Sequence, residues 1–200
     1  DGGGDHRDLP ACPTRRSSDL GPPYPREFVE RYRKAQVERN HRITTWCHSE
    51  LARLRDHNMF DRGFNLYRTW ADLRFVDPDI DPSDRKQNWC YAGDPRKANY
   101  RPQGIGLTNT LRTWLSMWSL SDSFCCGRPH LGRIVEPSLV VQSLADSGVF
   151  PSDAQLIYDS LGSRDKTLAM VPGDHYLQAP DGARTHVADL IVGWLENRHG

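Results

Sequence analysis

The chain has 200 residues, enough for one domain with a sizeable core, and its 26 basic residues balance 26 acidic ones. That neutrality leaves no net field to draw in nucleic acid or an anionic membrane surface, and no apolar run reaches the length that spans a bilayer. Cys12, Cys47, Cys90, Cys125 and Cys126 have neither the density of a disulfide scaffold nor a paired CxxC zinc pattern, so a cytoplasmic protein is the default expectation, with a leader upstream of this sequence left open.

In chain order, residues 1–20, "DGGGDHRDLPACPTRRSSDL", show neither strand nor helix period and read as a disordered or artefactual arm. Within it, "PTRRSSDL" resembles one translated reading frame of a common sequencing-adaptor oligonucleotide. That likeness implies an artificial join before Gly21. From there the composition changes. Phe28, Tyr32, Ala35, Ile43, Trp46 and Leu54 recur at mostly helical intervals, predicting a long amphipathic helix, broken at most once, with a solvated charged face.

"FNLYRTWADLRFVDPDIDPSDR" runs from an aromatic segment into aspartate-proline turns. Asp77, Asp79, Asp81 and Asp84 lack the glycine and terminal glutamate of a calcium loop, and no metal or cofactor is expected. "NWCYAGDPRKANYRPQGIG" reads as a long polar loop with aromatic anchors. The helix-like "TNTLRTWLSMWSLSDSF" follows, with Leu111, Leu115 and Trp118 on one stripe and Trp114 beside it. Such a stripe packs a core or, in a lid, borders an acyl pocket, which makes Trp114 and Trp118 candidate pocket residues. Residues 21–136 are thus expected to form a largely helical and connecting region.

The pattern sharpens in residues 137–200. "SLVVQS" is a β-favouring run suited to burial on both faces of a parallel sheet. Ser152, with Gln155 as reciprocal partner, marks a helix start, and Gly162 marks its end. "TLAMV" is the returning strand of a right-handed β-α-β crossover. A last helix carries Val187, Leu190, Ile191 and Trp194 on one face.

Both polar loops that follow these strands lie at one sheet edge, where open α/β folds place ligands. Asp146 closes the first strand and His175 follows the second. Adjacent strands are about 4.8 Å apart, so the carboxylate can reach the imidazole, fix its tautomer and stabilise its cation while the other ring nitrogen moves a proton. Asp174 reads better as a loop-stabilising residue and Asp153 as a first-turn helix acid. His130 is a candidate for substrate contact.

"PSLVVQSLADSGVFPSDAQ" and "VPGDHYLQAP" resemble the C-terminal half of the α/β-hydrolase family, with Asp146 matching the acid and His175 the base. "GPPYPREFVERYRKAQVERNHRI", "YRTWADLRFVDPDIDPSDR", "WCYAGDP" and "TLRTWLSMWSLSDS" are similar to the lid and post-lid region of a bacterial subgroup. The resemblance implies an incomplete α/β-hydrolase fold: a helical lid plus the last parallel strands and helices. It also implies a serine hydrolase of esters or related acyl bonds, acting on a small substrate with an apolar portion.

The upstream strands, glycine-rich oxyanion loop and Gly-x-Ser-x-Gly elbow that the family places earlier are not in this sequence. Ser17 and Ser18 lie in the adaptor-like segment, and Ser116, Ser119, Ser121 and Ser123 lack elbow glycines. The expectation is therefore a hydrolase fragment with acid and base but no nucleophile, the alternative being a nonenzymatic ligand-binding or interaction module. A metal-dependent hydrolase built on His130 or His175 is disfavoured by scattered ligand spacing.

Overall fold

The computed structural model describes residues 21–199; the expectations for residues 1–20 lie outside them. The fold is mixed α/β and contains a parallel sheet. It opens with helix α1 (Arg26–Asp56), unbroken over 31 residues. Its buried positions, Val29, Thr44, Cys47 and Leu54, differ in part from the expected stripe: Ala35 and Trp46 face solvent. Polar Thr44 is accommodated because its hydroxyl accepts from Trp114 Nε1 at 3.1 Å and donates to Ser119 at 3.0 Å.

After α1 the chain is less helical than a lid-like reading predicts. Strand β1 (Gly63–Asn65) pairs antiparallel with β2 (Thr108–Thr110), and between them lie a 3₁₀ turn at Leu73–Phe75 and the four-residue helix α2 (Pro95–Ala98). A short helix, α3 (Leu111–Thr113), widens into a π turn at Trp114–Trp118 and ends there. Cys47, Leu54, Leu111 and Trp114 form one core against α1. Phe75, Cys90, Ala98 and Phe150 form a second, which joins this region to the C-terminal crossover.

The crossover follows the sequence closely. Helix α4 (Arg128–Leu131) leads into β3 (Ser138–Ser143), α5 (Pro151–Ser160), β4 (Lys166–Val171) and α6 (Ala183–His199). β3 and β4 pair in parallel from Ser138 opposite Lys166 to Ser143 opposite Val171. The Lys166 ammonium donates to the Tyr158 and Leu161 carbonyls at 2.8 and 3.0 Å, satisfying the negative end of α5. α6 is pinned to the start of β4 by Trp194 Nε1 on Thr167 Oγ1, 3.2 Å, and by Arg198 on Asp165.

Three local expectations are corrected. The start of α5 is capped at Phe150, whose N–H donates to the Asp153 carboxylate at 3.2 Å, because Pro151 occupies the first helical position and needs no donor partner. Ser152 instead gives its hydroxyl to Asp81 at 2.6 Å, and Gln155 bonds Asp159. Gly162 is needed for close approach rather than as a helix stop: a Cβ there would lie 2.2 Å from the Gly132 carbonyl oxygen. Finally, β3 and β4 are half-buried along most of their length rather than covered on both faces. Among the described residues each has a single strand partner.

Candidate functional site

The strand ladder determines where the polar ends of β3 and β4 meet. Beyond the paired strands, Leu144 N–H donates to the Val171 carbonyl and Ala145 N–H to the Gly173 carbonyl, both at 2.9 Å. This extension carries the two chains side by side up to Asp146 on one and Asp174-His175 on the other. Asp146 is 8% exposed. Its Oδ1 accepts from the Gly148 and Val149 N–H groups at 2.6 and 3.1 Å, so the turn's own backbone orients the carboxylate. A Cβ on Gly148 would come within 3.3 Å of His175 Nδ1, and glycine leaves that approach open.

His175 Nδ1 sits 2.9 Å from Asp146 Oδ1 and 3.0 Å from Oδ2. A ring N–H between the two oxygens places a proton on Nδ1, so that Nε2 carries the lone pair in the neutral imidazole. Asp174 does not share in this contact. Its Oδ1 accepts from the N–H groups of Tyr176 at 3.1 Å and Gln178 at 2.8 Å, holding the loop's turn.

The His175 side chain, 34% exposed, opens on a cavity of about 430 Å³ lined by Lys86, Trp89, Tyr91, Ser147 and Tyr176. Tyr91 and Tyr176 meet the imidazole edge-on, with ring centres 5.0 and 4.9 Å away. Their hydroxyls touch each other, and this contact, with some burial, raises the Tyr176 phenol above its ordinary pKa and keeps it neutral. None of the hydrogen bonds among the described residues joins a serine hydroxyl to His175. The pair can accept and return a proton at Nε2.

The other predicted residues lie elsewhere. Trp114 and Trp118 line a separate cavity of about 250 Å³ with Trp70, Ile105 and Leu66, and Trp114 is mostly core. Trp70 at this cavity stacks on Tyr91 at the other, 6.3 Å between ring centres. His130 is exposed on α4, whose Leu131 carbonyl accepts from Gly162 N–H before β4 begins. This is the opposite end of the sheet from His175, so the structure does not bring His130 to the site.

A larger concavity, about 830 Å³, runs between α1 and the 3₁₀ turn. Its Arg74 is neutralised by Asp72, Asp81 and Asp153, at 2.8, 3.4 and 3.0 Å. Of the aspartates weighed for calcium, Asp77 accepts from Tyr24 and Asp79 N–H groups and Asp81 from Ser152, which accounts for their burial in structural terms. Among the described residues no three His, Cys, Asp or Glu side chains are grouped so as to hold a metal ion.

Lys86, Trp89 and Tyr91 escaped the sequence reading, although "NWCYAGDP" stood out as a loop with aromatic anchors. Tyr176 and Ser147 carry a simpler signal, since each directly follows one member of the pair. No helix among the described residues is long and apolar enough to cross a membrane. No family model matches the chain, and no curated protein or solved structure matches it.

Proposed function

We propose that this chain carries the acid and base of a serine-type α/β hydrolase that cleaves an ester or related acyl bond, and that its nucleophile and oxyanion donors belong to sequence not included here. The observation that carries the reading is the Asp146–His175 contact at 2.9 and 3.0 Å, formed where two parallel strands end and open to a cavity. The carboxylate, fixed by two backbone N–H groups, orients the imidazole and stabilises its cation. Nε2 takes the proton of an incoming hydroxyl and returns it to the leaving group. The strand edge of β3 left without a partner among the described residues supports a larger sheet in the parent protein.

A serine-reactive fluorophosphonate tests the reading in two chains. The 200-residue protein, verified as folded by circular dichroism, should take up no stoichiometric label. A longer reading frame recovered across the Leu20-Gly21 join should contain an elbow serine that labels, and His175→Ala in that chain should abolish turnover. Labelling of one serine in the short chain would overturn the absent nucleophile. A longer chain that neither labels nor turns over acyl esters would overturn the hydrolase reading and favour a ligand-binding module.

A further inference from the structure

An acid and base need no cation beside them, yet the cavity at His175 holds one. The Lys86 ammonium lies 3.7 Å from the ring centre of Trp89. Among the described residues it forms no ion pair with a carboxylate. The indole face holds the ammonium while leaving N–H directions free for another acceptor. The carboxylates lining or bordering the same space are already engaged: Asp146 by His175 and two N–H groups, Asp174 by two N–H groups.

The position of Lys86 is built by the two residues that precede it. Arg85, 7% exposed, anchors the backbone by donating to the carbonyls of Arg74 at 3.1 Å, Ile80 at 2.9 Å and Asp77 at 3.3 Å. Asp84 N–H donates to the Leu144 carbonyl at 3.0 Å, two residues before Asp146. The segment carrying the cation is thereby tied to the strand end carrying the acid. Trp89, Tyr91 and Tyr176 add aromatic walls to a space that fits a small ring compound.

Within the hydrolase reading, on which this rests, we propose that the substrate is an acyl compound bearing an aromatic ring and one carboxylate besides the bond that is cut. Lys86 is the specificity-determining cation, and the aromatic side chains flank the ring. A single negative charge is favoured over a dianion such as a phosphate monoester, because one ammonium faces it while Asp174 lines the same cavity and Asp146 lies against His175.

The test needs no nucleophile, so its outcome is separable from that of the labelling experiment. Benzoate and benzamide share size and ring but differ in charge. Each is titrated at pH 7 and low ionic strength into the ¹⁵N-labelled 200-residue chain, following the indole and imidazole signals, with Trp89→Phe used for assignment. Benzoate should shift the Trp89 and His175 signals and bind about fivefold more tightly than benzamide, a preference that added salt erodes. Lys86→Gln should remove the preference and Lys86→Arg should keep it. Equal affinity for the two probes, an unchanged preference in Lys86→Gln, shifts confined to other tryptophans, or no binding would each overturn the assignment.

Discussion

The β3–α5–β4–α6 region and the chain before it hold their shapes by different means. In the former, ladders and helical turns satisfy the backbone, and side chains are chosen by period. In the latter, short elements alternate with long irregular stretches, and single polar side chains carry backbone groups across large sequence distances. Arg39 donates to the Tyr67 and Arg68 carbonyls, Asn99 exchanges two hydrogen bonds with Trp70, and Asn40 bonds Trp118 and Leu120. A regular element can lose one side chain and keep its hydrogen bonds, whereas an irregular one leaves a carbonyl or amide unpaired. The difference separates where stability is distributed from where it is concentrated.

The largest effect expected from this contrast is catalytic. In the longer chain that the proposed function calls for, Asp146→Asn should lower turnover by about 10⁴-fold, by analogy with the acid of the serine-protease triad. Asp174→Asn, which alters a loop turn only, should be far milder. Turnover measured beside circular dichroism decides between them. Near-normal turnover in Asp146→Asn with severe loss in Asp174→Asn would move the acid's role from the strand end to the loop.

A second effect tests whether the two regions stand or fall together. Phe150 is 2% exposed, packs on Phe75 with ring centres 5.5 Å apart, and lies under the guanidinium groups of Arg74 and Arg85 at 4.1 and 5.1 Å. Phe150→Ala should cost about 3–5 kcal/mol in urea unfolding and shift a single transition. Two separated transitions in the parent chain would show that the regions unfold independently. A loss under about 1 kcal/mol would remove Phe150 as their joint.

The smallest effect is a pH dependence in the chain before β3. Hydrogen bonds from Arg53 hold Glu50 down at about 2 against the opposing effect of burial, and Arg62 adds to the pull. A carboxylate depressed in the folded state stabilises fully above its unfolded value near 4.5, and that contribution is lost as pH falls through about 2. The urea midpoints of the native chain and Glu50→Gln should therefore differ above pH 4.5 and converge on acidification toward pH 2. A pH-independent gap between them would mean that Glu50's charge contributes nothing.

Sequence reading succeeded where period and register govern. "SLVVQS" lies on β3 residue for residue, and "TLAMV" on all but the first position of β4, because β-branched and apolar runs between turns leave few other choices. The approach of Asp146 to His175 was legible for the same reason: parallel neighbours deliver their loops to one edge. Ser152 was misread because its partner, Asp81, is 71 residues away, and a local cap rule cannot see it. Gly162 was misread because its neighbour is another backbone, at Gly132. Lys86 and Tyr91 reach the cavity through a loop whose course depends on Arg85, an anchor without any periodic signature.

Burial divides the thiols in a way that spacing did not. Cys47 is fully buried, which pushes its thiol up to about 11, and Cys90 is raised as well, whereas Cys125 and Cys126 are exposed. The buried pair serves the two cores as small apolar side chains.

The turn that leads from β3 through Leu144 and Ala145 is held to the exit of β4 by main-chain groups alone. Side chains along that stretch can drift over evolutionary time without disturbing the carboxylate and imidazole, provided the spacing stays constant. A change of length is another matter. One residue gained or lost between Ser143 and Asp146 would break the turn in which Asp146 N–H donates to the Ser143 carbonyl at 3.3 Å and carry the carboxylate away from the imidazole. Relatives of this chain should accordingly vary in letter here while holding their count.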